Sequence, residues 1–202
     1  MKLYFRPFAS SLAARIALIE GEIDAEFIEV PRGGRLDDGR PFSALSPMGY
    51  VPAIETPAGF VLTEGPAVLA YIAELAPEGA LAPPPFSDAH YRMLAWLGFI
   101  ASELHRATFL PLMYGTPGEA KAARGRVAPR FERLSAHLAD HDFLEGGFGV
   151  ADAYLLTVLN WCETAGIAIR HWPVLEQWRA RLRHRPSVAA AMAEEWPLLK
   201  AA

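Results

Sequence analysis

The sequence predicts an α/β domain followed by an all-α domain, on three observations. Strand-like and helix-like runs alternate only up to about residue 78. Beyond it the apolar residues recur every three or four positions. The change falls on Ala76-Pro77-Glu78-Gly79-Ala80-Leu81-Ala82-Pro83-Pro84-Pro85, where four prolines in ten residues cannot continue a helix. Charge shifts at the same place: residues 1–78 carry 6 basic and 11 acidic side chains, residues 79–202 carry 13 and 12. The expected division is a first domain over 1–78, a proline-rich linker over 79–85 and a helical domain over 86–202.

Each element has its own signal. Lys2-Leu3-Tyr4-Phe5 reads as a strand, turned by Arg6-Pro7-Phe8-Ala9. Ser10 or Ser11 is placed to cap a helix with Leu12, Ile16 and Ile19 on its apolar face, stopped at Gly21. Ala25 to Val30 is a second strand, and one helical crossover favours parallel pairing with the first. After a Gly/Arg-rich loop, Pro31 to Arg40, the runs Val51–Thr56 and Phe60–Leu62 form a hairpin across Pro57-Ala58-Gly59. Thr63-Glu64-Gly65-Pro66 opens a helix to about Leu75, with proline in the first turn. The order is β-α-β-β-β-α. Past the seam, one long helix is expected from Asp88 to about Met113, a second from about Glu119 to Leu138 and a third from Gly149 through Cys162. Two shorter ones follow Pro173 and Pro186.

Composition excludes several classes. Net charge is −4 with a pI near 5.9, against a nucleic-acid or anionic-membrane surface. Charges interrupt every apolar run well before the ~18 residues of a membrane span. The single cysteine, Cys162, excludes an internal disulfide framework and a CxxC zinc site. No metal is expected: of the six histidines only His137 and His141 share ligand spacing, without a third ligand near. The N-terminus is too soon interrupted for a signal peptide, so a cytoplasmic location is the expectation.

Three segments carry a resemblance. Ser46-Pro47-Met48-Gly49-Tyr50-Val51-Pro52-Ala53, Leu62-Thr63-Glu64-Gly65-Pro66-Ala67-Val68-Leu69-Ala70-Tyr71-Ile72 and Val150-Ala151-Asp152-Ala153-Tyr154-Leu155 are similar, in this order, to motifs of the cytosolic glutathione S-transferase family. Arg6-Pro7-Phe8-Ala9-Ser10-Ser11-Leu12 and Ala101-Ser102-Glu103-Leu104-His105-Arg106 resemble the bacterial beta class most. The resemblance spans essentially the whole chain. It implies a thioredoxin-like first domain, glutathione as co-substrate, a small electrophile as second substrate and a homodimer.

The residues make chemical sense of glutathione. Glu64-Gly65 at a helix start offers free N–H groups to the γ-glutamyl carboxylate and a negative charge to its ammonium; otherwise Glu64 only complements the helix dipole. The resemblance implies a cis bond before Pro52, exposing the Val51 N–H and C=O for strand-like pairing with the cysteinyl part. The alternative is an ordinary trans proline opening an edge strand. Ser10, or next Ser11, is placed to donate to the glutathione thiolate, or both simply cap the helix. Tyr4 is the weaker donor candidate, being inside a strand. The beta class usually has cysteine where Ser10 stands, so a mixed disulfide at this position is excluded. By helical spacing, positions 98, 101, 102, 105 and 109 share one face, making His105 either an acceptor-side group or a packed, hydrogen-bonded histidine. Arg106 stands where the class often has lysine, and Gly98 where it often has asparagine. Arg35 is the choice for a cation at the glycyl carboxylate, against a solvated surface arginine. Asp152 is expected to support folding through the return bond of a capping box whose usual Ser/Thr is Gly149, and Cys162 to be a buried hydrophobe. Arg179, Arg181, Arg183 and Arg185 read as a solvated surface. The leading function is sulfur attack on an apolar electrophile. The alternative, supported by Ser10, Gly98 and Gly149, is a binding protein of the same fold with little or no turnover.

Overall fold

The computed structural model of the chain describes residues 1–201. β1 (Lys2–Phe5), α1 (Ser11–Glu20) and β2 (Glu26–Glu29) come first; a loop with one 3₁₀ turn (Phe42–Ala44) leads to β3 (Ala53–Glu55), β4 (Val61–Thr63) and α2 (Gly65–Leu75). The strands form one sheet in the order β2-β1-β3-β4. β1 pairs parallel with β2, Leu3 opposite Phe27, and antiparallel with β3, Leu3 opposite Ile54. The β3–β4 hairpin closes with Gly59 at φ +80°, a left-handed position glycine takes without steric cost. This is the expected thioredoxin-like arrangement.

The second part is helical, as expected: α3 (Asp88–Phe99), a π-helical segment (Ile100–Phe109), α4 (Leu110–Tyr114), α5 (Pro117–Leu138), α6 (Val150–Leu159), α7 (Pro173–Arg183) and α8 (Pro186–Ala201). Residues 88–114 are one continuous rod, but its middle is π rather than α. Thr108 Oγ1 and Arg130 Nε both donate to the Glu103 carbonyl, at 2.7 and 3.1 Å, supporting the wide turns from the side. A π turn takes more residues than an α turn, and burial changes along the face expected for positions 98–109, with Ser102 Oγ donating to the Gly98 carbonyl at its exposed end. Phe109 is fully buried, His105 partly buried and Ser102 exposed. α8 also corrects the expectation of a short helix, at 16 residues.

α1 departs from a simple amphipathic helix. Every residue from Ser11 to Leu18 is buried, because the sheet covers one side and α6 and α8 the other. One apolar core therefore runs from β1 and α1 through α6 to α7 and α8. Tyr4, Val30, Leu36, Phe42 and Ala53 form a second, smaller cluster. Buried inside the first core, the Arg15 guanidinium lies 4.2 Å from the Phe5 ring centroid and 4.1 Å from that of Phe27.

The linker is tied down at Leu81, which is fully buried. Val150 N–H donates to the Leu81 carbonyl at 3.0 Å, and a Cβ at residue 149 would lie 2.6 Å from that oxygen. This contact accounts for glycine where a capping residue usually stands. Only Asp152's half of the capping box can form: Oδ2 accepts from Gly149 N–H at 3.0 Å and Oδ1 from Leu144 N–H at 2.9 Å. Burial pushes the Asp152 carboxyl up to about 7, against these two bonds. The four arginines are not simply solvated. Arg179 donates to the Leu159 carbonyl, Arg181 to that of Asp142, Arg183 to Asn160 Oδ1 and Arg185 to both Glu20 oxygens.

Candidate active site

Sheet register decides what meets. Tyr4 lies opposite Ala53, and Ala53 opposite Thr63, so the end of β1, the start of β3 and the end of β4 share one end of the sheet. The segments Arg6–Ser10, Val51-Pro52 and Glu64-Gly65 therefore come together although they are far apart in sequence. The Val51–Pro52 peptide is cis. Ser10 Oγ donates to the Val51 carbonyl at 2.9 Å, joining the α1 start to this turn. Ser10 makes no side-chain cap of α1. The carbonyl expected to be free is thus already engaged, whereas the Val51 N–H has no partner among the described residues. Glu64 is exposed, at φ +70° directly before α2, an uncommon conformation for a residue with a side chain. Pro66 has no N–H and Val68 N–H bonds the Glu64 carbonyl, leaving the Gly65 and Ala67 amides at the helix start without intrahelical partners.

The helical part contributes His105, Tyr154 and Trp161. His105 Nδ1 lies 2.8 Å from Tyr154 Oη, and the His105 and Trp161 ring centroids are 4.9 Å apart. Burial, then the Arg106 charge, push the imidazole down to about 4, so it is neutral at neutral pH. Trp161 Nε1–H donates to the Phe8 carbonyl at 2.8 Å, while Phe8 N–H donates to Glu195 Oε2 at 2.6 Å. Phe8, at φ +55°, is held from both sides, two residues before Ser10. Glu195 is 0% exposed. Its Oε1 faces Arg15 Nε at 3.0 Å without hydrogen-bond alignment, and burial pushes its carboxyl up to about 7.

Other candidates lie elsewhere. Ser11 is buried at 0% exposure and its hydroxyl is spent locally, donating to the Arg6 carbonyl and accepting from the Arg6 N–H. It presents no free proton beside Ser10. Tyr4 Oη donates to Glu55 Oε2 at 2.7 Å, and burial first raises the phenol to about 12. Arg35 is exposed, with Nη1 donating to the Gly39 carbonyl in its own loop, and Arg106 is exposed. Cys162 is buried and raised by that burial to about 12. Among the described residues no group of three or more His, Cys, Asp or Glu side chains is placed to hold a metal, and no helix is long and apolar enough to cross a membrane. Sequence reasoning missed Tyr154, Trp161, Phe8 and Glu195. Only Tyr154 left a signal: a phenol inside an apolar helix needs a partner for its hydroxyl.

Comparisons with known proteins agree with this fold. The family model for the glutathione S-transferase N-terminal domain matches residues 7–75, and that for the C-terminal domain matches residues 92–186. Glutathione S-transferase GstA of Escherichia coli O157:H7 is 35% identical, over 96% of this chain and 98% of its own. A sphingomonad glutathione S-transferase solved in complex with glutathione superposes with a TM-score of 0.91 at 37% identity, covering 96% of this chain and 98% of that one. The bacterial beta class enzyme of Sphingomonas chungbukensis gives the same TM-score, identity and coverage.

Proposed function

Because this chain belongs to the glutathione S-transferase family, with beta-class neighbours, we propose that it binds glutathione at the sheet end described above and activates the thiol for attack on a small apolar electrophile. In this reading the α2 amides take the γ-glutamyl carboxylate and Glu64 its ammonium. The Val51 N–H pairs with the cysteinyl unit, and Arg35 swings from its loop to the glycyl carboxylate. The observation that carries the reading is the Val51 N–H and the Gly65 and Ala67 amides, without backbone partners at one end of the sheet, with the Ser10 hydroxyl on the Val51 carbonyl. On binding this hydroxyl transfers its hydrogen bond from that carbonyl to the glutathione thiolate, favouring the ionised form. The thiol proton leaves to water, sulfur forms a bond to the electrophilic carbon, and the leaving group departs with its electron pair. His105 and Arg106 face the acceptor. The protein works as a cytoplasmic homodimer.

The test is the ultraviolet absorbance of enzyme-bound glutathione thiolate against pH. Wild type is expected to show a thiol pKa below the free value of ~8.5, and Ser10→Ala to raise it toward that value. An unchanged pKa in Ser10→Ala refutes the role of Ser10. One observation favours a second reading: Ser10 already spends its proton on a backbone acceptor, and no cysteine stands beside it. A glutathione-binding protein without turnover would be retained on immobilised glutathione yet convert no electrophile, an activated aryl chloride included.

A further inference from the structure

The group that touches His105 from the side away from its free nitrogen is Tyr154. α6 is buried at every position, so a phenol within it has to satisfy its hydroxyl inside the protein. Tyr154 is 2% exposed, and its Oη has one hydrogen-bond partner among the described residues, His105 Nδ1 at 2.8 Å. Burial, then the nearby Glu64 charge, raise the phenol, so it keeps its proton. That proton needs an acceptor, and Nδ1 is the one in reach. Were Nδ1 protonated and donating to the phenol, the phenolic proton would be left in the core without a partner, the costlier arrangement. Nδ1 is therefore bare. The imidazole is neutral, so its single N–H is Nε2–H. Nε2 has no partner among the described residues and is not sealed in the core. α2 closes the arrangement from the other domain: a Cβ at Gly65 would lie 3.7 Å from Tyr154 Oη.

We propose that Tyr154 is a positioning residue that locks His105 in the Nε2–H tautomer and aims that proton at the second substrate. The tautomer follows from the hydrogen bond; its use in turnover rests on the reading above, in which His105 faces the acceptor. The Nε2–H donates to the atom of the electrophile on which negative charge develops, and the tautomer keeps the donor available without protonating the ring. The same contact joins the glutathione-side helix to the acceptor-side histidine through one hydroxyl.

Long-range proton–nitrogen NMR of the imidazole reads the tautomer without substrate. Wild type is expected to show Nε2 protonated and Nδ1 bare, and Tyr154→Phe, which keeps the ring and its packing, to lose that preference. Turnover of an activated aryl chloride by Tyr154→Phe is expected to fall roughly fivefold in kcat, the scale of one neutral hydrogen bond, with KM for glutathione unchanged. At His105 itself, Gln carries an amide near the Nε2 position and Asn near the Nδ1 position, so His105→Gln should retain more turnover than His105→Asn. Adding Tyr154→Phe to His105→Gln should cost nothing further. A protonated Nδ1 in wild type, or an unchanged tautomer in Tyr154→Phe, overturns the proposal. If the tautomer shifts as expected but His105→Asn turns over at the wild-type rate, the assignment stands and its role in turnover is overturned. If glutathione does not bind at all, the reading of the site fails while the tautomer result is unaffected.

Discussion

Replacing Glu195 by glutamine makes the stability of this protein respond differently to pH, and the structure sets the size of the effect. The carboxylate accepts the Phe8 N–H at 2.6 Å and faces the Arg15 guanidinium, yet it is wholly buried and its carboxyl sits near 7 instead of the usual 4.5. The folded value lies above the unfolded one. The stabilising contribution is therefore complete below about 4.5 and is lost as pH rises through about 7. At about 1.4 kcal/mol per unit of pKa the shift corresponds to about 3 kcal/mol, most of which falls between pH 5 and 8. Glutamine keeps the shape and has no such dependence. Unfolding in urea at fixed protein concentration, for wild type and Glu195→Gln at pH 5, 6.5 and 8, reads the term of Glu195 with its coupled neighbours Arg15 and Glu194, since titrating groups not coupled to it cancel in the difference. Wild type should lose about 2–3 kcal/mol relative to the variant across that range. Curves that stay parallel within about 0.5 kcal/mol would show that Glu195 is ionised throughout, held by Arg15 and the Phe8 amide, and the argument from burial would be wrong.

Other outcomes follow from the same contacts. Asp152→Ala leaves the Leu144 and Gly149 amides without their acceptor; a loss of about 3 kcal/mol is expected, read as a fall of roughly 6–12 °C in Tm. Gly149→Ala forces its new methyl against the Leu81 carbonyl, 2.6 Å away, and should cost about 1–3 kcal/mol in urea unfolding while speeding protease cleavage of residues 79–85. The His105 ring resonances should titrate with a midpoint near pH 4. The folded value here is depressed, so this group's contribution to stability is present above 6.5 and lost as pH falls toward 4. Cys162, buried and raised to about 12, should react with a thiol reagent only after denaturation.

What was legible in the sequence was local. β1, the Pro57-Ala58-Gly59 hairpin and the Gly65-Pro66 helix start each follow from a few adjacent residues, so short-range rules place them. The sheet end that gathers Ser10, Val51 and Glu64 depends on the antiparallel β1–β3 pairing, which neither the parallel crossover nor the hairpin specifies. What was not legible depends on distant partners. Ser10 and Ser11 are adjacent and chemically equal, and only the fold sends one hydroxyl to Val51 and the other to Arg6. Glu195 reaches Phe8 across 187 positions. The π segment breaks the α period without any proline or glycine within it. The neutral state of His105 comes from the burial of its ring, which spacing along one helix does not encode.

The fixing of Leu81 bears on how the two parts of the chain can move. Its carbonyl is fastened to α6 by the Val150 amide, and its side chain approaches Gly21 at the end of α1, where a Cβ would meet Leu81 Cδ1 at 3.0 Å. The connection is riveted to both domains at its midpoint. A hinge there would have to break a buried hydrogen bond and withdraw a leucine from the core, at a cost of several kcal/mol. The two parts of the chain are accordingly fixed in relation to each other at this point. On the proposed function, differently shaped acceptors would be admitted by movement of side chains and not of the linker, so changes of substrate range should map to side-chain substitutions rather than to residues 79–85.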